Sequence, residues 1–339
     1  MHINTEETSK KYRDLTVDIS NKSVLLTNFL DSGQEKELTV PPNCKGFGRI
    51  RHFRRKTSDR WPQNALPIDP AAKALSLSTK LEELKAQVFQ TASCNWRCWY
   101  CYVPYKLLSA NKKYSEFLTV SEIVDLYLDN GDRPKVIDLS GGQPELVPEF
   151  VLWVMEELIK RDLKNEVYLW SDDNLSNDYF WRYLSEKDIE LVVNYKNYGR
   201  VGCFKGFDED SFSFNTRANP ELFNQQFNLM KRYIDTGLDM YAYVTLTSNN
   251  KSNITDKVKC FIDRMQQIDE NLPLRTVPLE IQVFYPVAPR LKEEHEIGLE
   301  VQNEAIEVWK NELINRFPSS LLNKNIANIP LSFSKVGKD

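Results

Sequence analysis

No part of this chain stays apolar for long. Val151-Leu152-Trp153-Val154-Met155 is among the longest such runs, well short of a membrane span. No membrane partner is therefore expected. A surplus of one charge is missing too. Forty-four Lys and Arg face 48 Asp and Glu, for a formal net charge of −4. That balance argues against a chain whose whole surface binds nucleic acid. The first residues, Met1-His2-Ile3-Asn4-Thr5-Glu6-Glu7, lack the apolar core of a secretory signal. This points to the reducing cytoplasm, where a disulfide framework is not expected. Internal sequence repeats are also absent. What remains is ample for one large domain with a modest extension. The chain has 339 residues, 41% of them hydrophobic, which excludes general disorder.

Three of the six cysteines fall in Cys94-Asn95-Trp96-Arg97-Cys98-Trp99-Tyr100-Cys101. The spacing is C-x3-C-x2-C. Thiolates this close on one loop can hold three corners of a cubic iron–sulfur cluster. With no fourth cysteine nearby, the fourth iron keeps an open position, as catalytic metal sites do. A zinc site would need a fourth ligand brought from afar, such as Cys44, His52 or His295. No second compact cysteine motif follows. Cys260 falls on the polar face of a predicted helix and reads as a bystander.

Residues 1–75 read as an N-terminal extension that packs on the main domain. Val24–Phe29 and Glu37–Val40 are predicted as short strands, the second broken by Pro41-Pro42. The stretch from Lys45 to Lys56 is basic and carries Phe47 and Phe53. It reads as a solvated strand or loop, or as a contact for an anionic substrate. From about residue 85 the pattern becomes strand, loop, helix, repeated. Predicted strands are Ala86–Gln90, Lys135–Leu139, Glu166–Trp170, Arg200–Phe204, Met240–Leu246 and Leu279–Tyr285. Between them, Thr119 and Glu122 form a capping box, Pro148 opens a helix, and Asn219 and Pro220 start another. A last amphipathic helix covers about 299–316. Strands joined by helical crossovers imply a parallel sheet, with ligands at the carboxyl ends of its strands. The main domain is set at 76–317 and a C-terminal tail at 318–339. Polar alternation through Tyr241, Tyr243, Thr245 and Thr247, and through Glu280, Gln282 and Phe284, suggests a wet lumen.

The cysteine spacing, Tyr100 just before its last cysteine, and Gly141-Gly142-Gln143-Pro144 after the second strand resemble the radical S-adenosylmethionine superfamily. The resemblance covers roughly residues 84–290. It implies an α/β fold, a partial (β/α)6 TIM-like barrel with the small N-terminal extension beside it. It further implies a [4Fe-4S] cluster on Cys94, Cys98 and Cys101, with S-adenosyl-L-methionine chelated at the open iron. One electron, from a donor such as flavodoxin or ferredoxin, would then release methionine and a 5′-deoxyadenosyl radical. Gly141, Gly142, Gln143 and Pro144 would meet the methionine ammonium. Gln143 stands where the family has Glu, losing a charge and keeping an acceptor. Ser171-Asp172-Asp173-Asn174 would meet the ribose and methionine parts, or cap a helix.

Val201-Gly202-Cys203-Phe204-Lys205-Gly206-Phe207 looks like the lysine-bearing fourth strand of glycyl-radical-activating enzymes. Lys205 would pair with the methionine carboxylate. Cys203 departs from the Asp-x-Lys pattern there. Sharing a face with Lys205, it is a candidate hydrogen-atom donor, or else a small apolar filler. The expected function is hydrogen abstraction from a small molecule, nucleotide, peptide or partner-protein glycine, with an anionic or protein substrate in view. The alternative is a non-catalytic protein with a structural cluster or zinc, which metal analysis separates.

Overall fold

The computed structural model describes residues 2–332. Met1 of the extension and residues 333–339 of the expected tail lie outside the described residues. Helix α1 (Thr5–Thr16) is opened by Asn4, whose side chain accepts from Glu7 N. Strands β1 (Val17–Asp18), β2 (Ser23–Thr27) and β3 (Gly48–Arg54) and helix α2 (Ile68–Ala74) complete the N-terminal part. Then follow β4 (Glu83–Phe89), β5 (Ser115–Thr119), α3 (Val120–Leu128), β6 (Val136–Leu139), α4 (Glu149–Lys160) and β7 (Tyr168–Asp173). Helices α5 (Tyr179–Tyr183) and α6 (Glu186–Val193) lead to β8 (Tyr198–Phe204). The chain continues through α7 (Glu209–Thr216), α8 (Leu222–Asp235), β9 (Met240–Thr245), α9 (Ile254–Ile268) and β10 (Thr276–Leu279). Helices α10 (Glu293–Arg316) and α11 (Ser319–Leu322) end it.

Seven strands form one sheet in the order β10-β9-β8-β7-β6-β4-β3. From β4 to β10 every pairing is parallel, as the crossovers require. β3 comes from the N-terminal segment and pairs antiparallel with β4, Arg49 opposite Val88 and Arg51 opposite Ala86. A separate sheet, β1-β2-β5, lies beside it. No helix among the described residues is long and apolar enough to cross a membrane.

The period of two in each strand sorts the core into two layers. Ile137, Leu139, Leu169, Phe204, Met240, Ala242 and Val244 face the helices. Val136, Trp170, Val201, Cys203, Tyr241 and Tyr243 face the concave side. There they meet Phe53, Leu66, Ile68 and Ala71 of the N-terminal segment. Burial of Phe53, Leu66 and Ile68 stabilises by about 2 kcal/mol each. The expected wet lumen is therefore corrected along β9. Tyr243 donates to Leu66 O at 3.2 Å, and Tyr241, Tyr243, Thr245 and Thr247 are all buried.

Other expectations also change. Glu37–Val40 is not a strand; Glu35–Glu37 is a single 3-10 turn, and Pro41-Pro42 offers no N–H for a ladder. The sixth barrel strand is Thr276–Leu279, and residues 280–285 leave the sheet. The reason is a side chain: Gln302 of α10 accepts from Ile281 N at 3.0 Å and donates to Ile281 O at 2.9 Å. β7 extends through Asp173, so Ser171, Asp172 and Asp173 lie within a strand rather than after it. α8 begins at Leu222, because Asn219 is spent on a preceding turn in which it accepts from Glu221 N.

Candidate active site

The loop after β4 is held on all sides. Arg97 donates through Nη1 to Cys94 O at 2.5 Å and to Trp96 O at 2.8 Å. Tyr105 OH donates to Cys98 O at 3.0 Å, and Arg290 Nη1 donates to Cys101 O at 2.8 Å. Trp96 Nε1 reaches Thr5 Oγ1 of α1 at 3.0 Å. Trp99 Nε1 reaches Asn215 Oδ1 of α7 at 2.9 Å, and its ring stacks on His295 with centroids 4.6 Å apart. Every carbonyl so engaged is one fewer freedom for the three thiols. Cys94, Cys98 and Cys101 are free and partly exposed. As bare thiols, Cys94 and Cys98 are pushed up by burial, Cys98 to about 12.

No three His, Cys, Asp or Glu side chains among the described residues are gathered as ligands of one metal ion. A cubic cluster asks for less convergence, because each thiolate takes a separate iron corner. Cys98 lies near enough to Cys94 and Cys101 for both to bear on its titration, so the three thiols neighbour one another as such a cluster would require. Cys44 is elsewhere: it donates to Leu126 O at 3.4 Å and accepts from Asn130 Nδ2 at 3.2 Å, beside α3.

The turn after β6 needs its glycines. Gly141 and Gly142 have φ of +82° and +68°, and a Cβ on Gly142 would lie 2.3 Å from Thr91 O. This close approach sets the turn against the start of the cysteine loop. Thr91 Oγ1 donates to Gly141 O at 3.1 Å, and Gln143 N donates to Ser93 O at 2.7 Å. The Gln143 amide is committed to the wall. It donates to Asp173 Oδ1 at 2.9 Å and accepts from Asn174 N at 3.0 Å. A glutamate here would set two carboxylates against each other, so the amide at this position has a local cause. Pro144 opens the buried 3-10 turn Pro144–Leu146. Asn174 Nδ2 donates to Asn95 Oδ1 at 2.9 Å, which joins the end of β7 to the cysteine loop.

Alternation places Asp172 on the concave side, while Ser171 and Asp173 turn to the helices. Ser171 Oγ pairs with Tyr198 OH at 2.7 Å, and Asp173 accepts from Gln143 and from Leu175 N. These two support the site from behind. Asp172 meets a different company. Arg51 Nη1 lies 3.2 Å from Asp138 Oδ2 and 4.0 Å from Asp172 Oδ2. Burial, with the Asp138 carboxylate adding, pushes Asp172 up to about 7. Asp138 is likewise raised by burial. Lys205 extends the face of Cys203 past the end of β8, its backbone held by Gln226 Oε1 at 3.2 Å and Asn215 Nδ2 at 2.9 Å. Its ammonium has no hydrogen-bond or ion-pair partner among the described residues. Cys203 is buried, and burial pushes its thiol up to about 12. Tyr100 OH pairs with Thr245 Oγ1 at 3.0 Å.

The carboxyl ends of the strands thus bring together the three cysteines, Tyr100, the glycine turn, Asp172, Asn174, Cys203 and Lys205. Asp172 Oδ1, Asp138 Oδ1 and Asn174 Oδ1 are buried there without a hydrogen-bond partner. Such a set of orphaned groups fits a polar, charged cofactor such as S-adenosylmethionine. Arg49 and Arg51 entered the sequence reading only as part of the basic stretch from Lys45 to Lys56, a solvated segment or an anion contact, and Asp138 only as part of a strand. Their signals were the period-two Arg49-x-Arg51-x-Phe53 pattern and a lone carboxylate within apolar β6.

A family model described as the Radical SAM superfamily matches residues 88–256. No curated protein matches the sequence. Among solved structures, Streptococcus suis SuiB bound to S-adenosylmethionine is similar at 16% identity and a TM-score of 0.36, covering 52% of this chain and 37% of SuiB. SuiB bound to its precursor peptide SuiA gives 16%, 0.36, 52% and 36%. Native anSMEcpe with bound AdoMet and Kp18Cys peptide gives 15% identity and a TM-score of 0.43, covering 68% of this chain and 61% of anSMEcpe. The chain spans less than two thirds of the length of each of these proteins.

Proposed function

The chain belongs to the radical SAM superfamily, and from that membership we propose that it is an enzyme that abstracts hydrogen from an unactivated carbon of its substrate. Cys94, Cys98 and Cys101 would hold a [4Fe-4S] cluster, leaving one iron for S-adenosyl-L-methionine. When bound and reduced by one electron, the pair supplies a 5′-deoxyadenosyl radical. The electron donor is of the flavodoxin or ferredoxin kind, and the compartment is the cytoplasm. The protein's own part is to bind, orient and shield.

Gly141 and Gly142 would offer backbone carbonyls to the methionine ammonium, in a turn whose packing against Gln90, Thr91 and Ser93 leaves no room for a Cβ. The orphaned Asp172 Oδ1 is an acceptor for ribose hydroxyls, and the unpaired Lys205 ammonium is a partner for the methionine carboxylate. Cys203, buried in the concave core with Val201 and Tyr243, reads first as a small apolar filler, with a hydrogen-atom donor to a substrate radical as the alternative. The observation that carries the reading is one hydrogen-bonded network, Asn95–Asn174–Gln143–Ser93, tying the cysteine loop to the glycine turn. The test is anaerobic reduction of the iron-loaded protein with S-adenosylmethionine. Equal release of methionine and 5′-deoxyadenosine is expected. No release above a metal-free control would overturn the proposal.

A further inference from the structure

β3 is the strand that the N-terminal segment adds to the barrel sheet, and its register fixes where its side chains go. Phe53 pairs with Leu84 and Arg51 with Ala86, and Phe53, Leu84 and Ala86 belong to the concave cluster. Arg49, opposite Val88, therefore faces the same side. Because β3 runs antiparallel to β4, its first residues lie at the carboxyl end of β4, where Gly48 is level with Phe89. Both guanidinium groups thus sit at the chemically equipped mouth rather than at the closed floor.

A buried guanidinium is costly unless it is paired. Arg51 has its partner in Asp138. Arg49 has none. It is 7% exposed, its Nε is buried without a hydrogen-bond partner, and it makes no ion pair among the described residues. Its one neighbour of note is the Tyr102 ring, 5.5 Å from the guanidinium carbon. Tyr102 directly follows Cys101, so the open fork lies beside the cysteine loop. The nearby carboxyls do not pair with it: Asp138 is engaged by Arg51 at 3.2 Å, and neither Asp138 nor Asp172 forms an ion pair or hydrogen bond with Arg49 among the described residues. Arginine's planar fork suits carboxylate and phosphate oxygens.

We propose that the substrate carries an oxyanion, a carboxylate or a phosphate, which the Arg49 fork receives with Arg51 at its side. The proposal rests on the radical-enzyme reading above and names the substrate class of that site. Residues two apart on one strand face stand about 7 Å apart at their Cα atoms, close enough for two forks to serve one group.

The test titrates anaerobically reconstituted protein, loaded with S-adenosylmethionine, with inorganic phosphate and separately with succinate at constant ionic strength. Wild type should bind at least one probe, and the preferred probe names the headgroup. Arg49→Gln should weaken that binding by about tenfold or more, as expected for a lost charge-assisted pair. Arg49→Lys keeps the charge without the fork and should weaken it by less. Arg54→Gln, an exposed residue on the opposite face of β3 that pairs with Glu83, should match wild type. Three results would overturn the proposal: no binding of either probe by wild type, wild-type binding by both Arg49 variants, or an equal loss of S-adenosylmethionine affinity in Arg49→Gln. If wild type releases 5′-deoxyadenosine on reduction and the anion results fail, only this inference falls. If it releases none, the underlying reading falls with it.

Discussion

At the scale of residues, charge placement decides the most. Asp172 loses its proton near pH 4 in the unfolded chain and at about 7 in the folded one, because burial and Asp138 disfavour its anion. Between those values the folded state holds the extra proton. Stability therefore falls as pH rises through that window. Asp172→Asn removes the penalty. Denaturant unfolding should show the variant gaining on the order of 2 kcal/mol over wild type near pH 8, with the gain gone near pH 4. A gain that does not change with pH would show that Asp172 is not held protonated. The cysteine trio stands out in the sequence because its signal is local, three thiols within eight positions. The roles of Ser171 and Asp173 do not, because only the register of β7 tells which of four polar neighbours faces in. The run holding Arg49 and Arg51 read as a solvated strand or as an anion contact, since a basic run shows its charge and not the buried Asp138 that answers Arg51.

Elements were legible where their ends are local chemistry. The Thr119–Glu122 capping box starts α3 as its sequence says. α7 was missed because it is not amphipathic; Phe212 and Asn215 are both buried, and polar residues surround them. Yet α7 carries a clamp. Asn215 accepts from Trp99 Nε1 at 2.9 Å and from Thr247 Oγ1 at 2.7 Å, and donates to Lys205 O at 2.9 Å and Thr247 O at 3.0 Å. One amide thus ties the cysteine loop to the ends of β8 and β9. Asn215→Ala leaves these groups buried and unpaired, and should lower stability by about 3 kcal/mol. The measurement is denaturant unfolding, with Trp99 fluorescence as a local probe. A loss under about 0.5 kcal/mol would mean that water or a neighbour replaces the amide. The misplaced last barrel strand has the same lesson: alternation through 279–285 reads as strand, but Gln302, distant in sequence, takes the Ile281 backbone.

At the scale of the molecule, the N-terminal segment is part of the barrel's interior. It supplies β3 to the sheet, Phe53, Leu66, Ile68 and Ala71 to the concave core, and a Trp61 Nε1 bond to Pro278 O at 2.8 Å. The sequence showed a parallel sheet because repeated strand–helix alternation leaves little choice. It did not show that the concave side would be filled from the same chain. A chain beginning at residue 76 would expose that core, and should lack a cooperative thermal transition by circular dichroism; a sharp wild-type-like transition would show that the barrel closes without it. The claim on which the rest depends is that Cys94, Cys98 and Cys101 together hold the cluster that drives chemistry. It is met most directly by iron content and 5′-deoxyadenosine yield measured side by side on wild type and Cys98→Ala, both reconstituted without oxygen. Wild type should carry about four irons and release 5′-deoxyadenosine on reduction, and the variant should lose both. Wild-type yield of 5′-deoxyadenosine from Cys98→Ala would contradict the account.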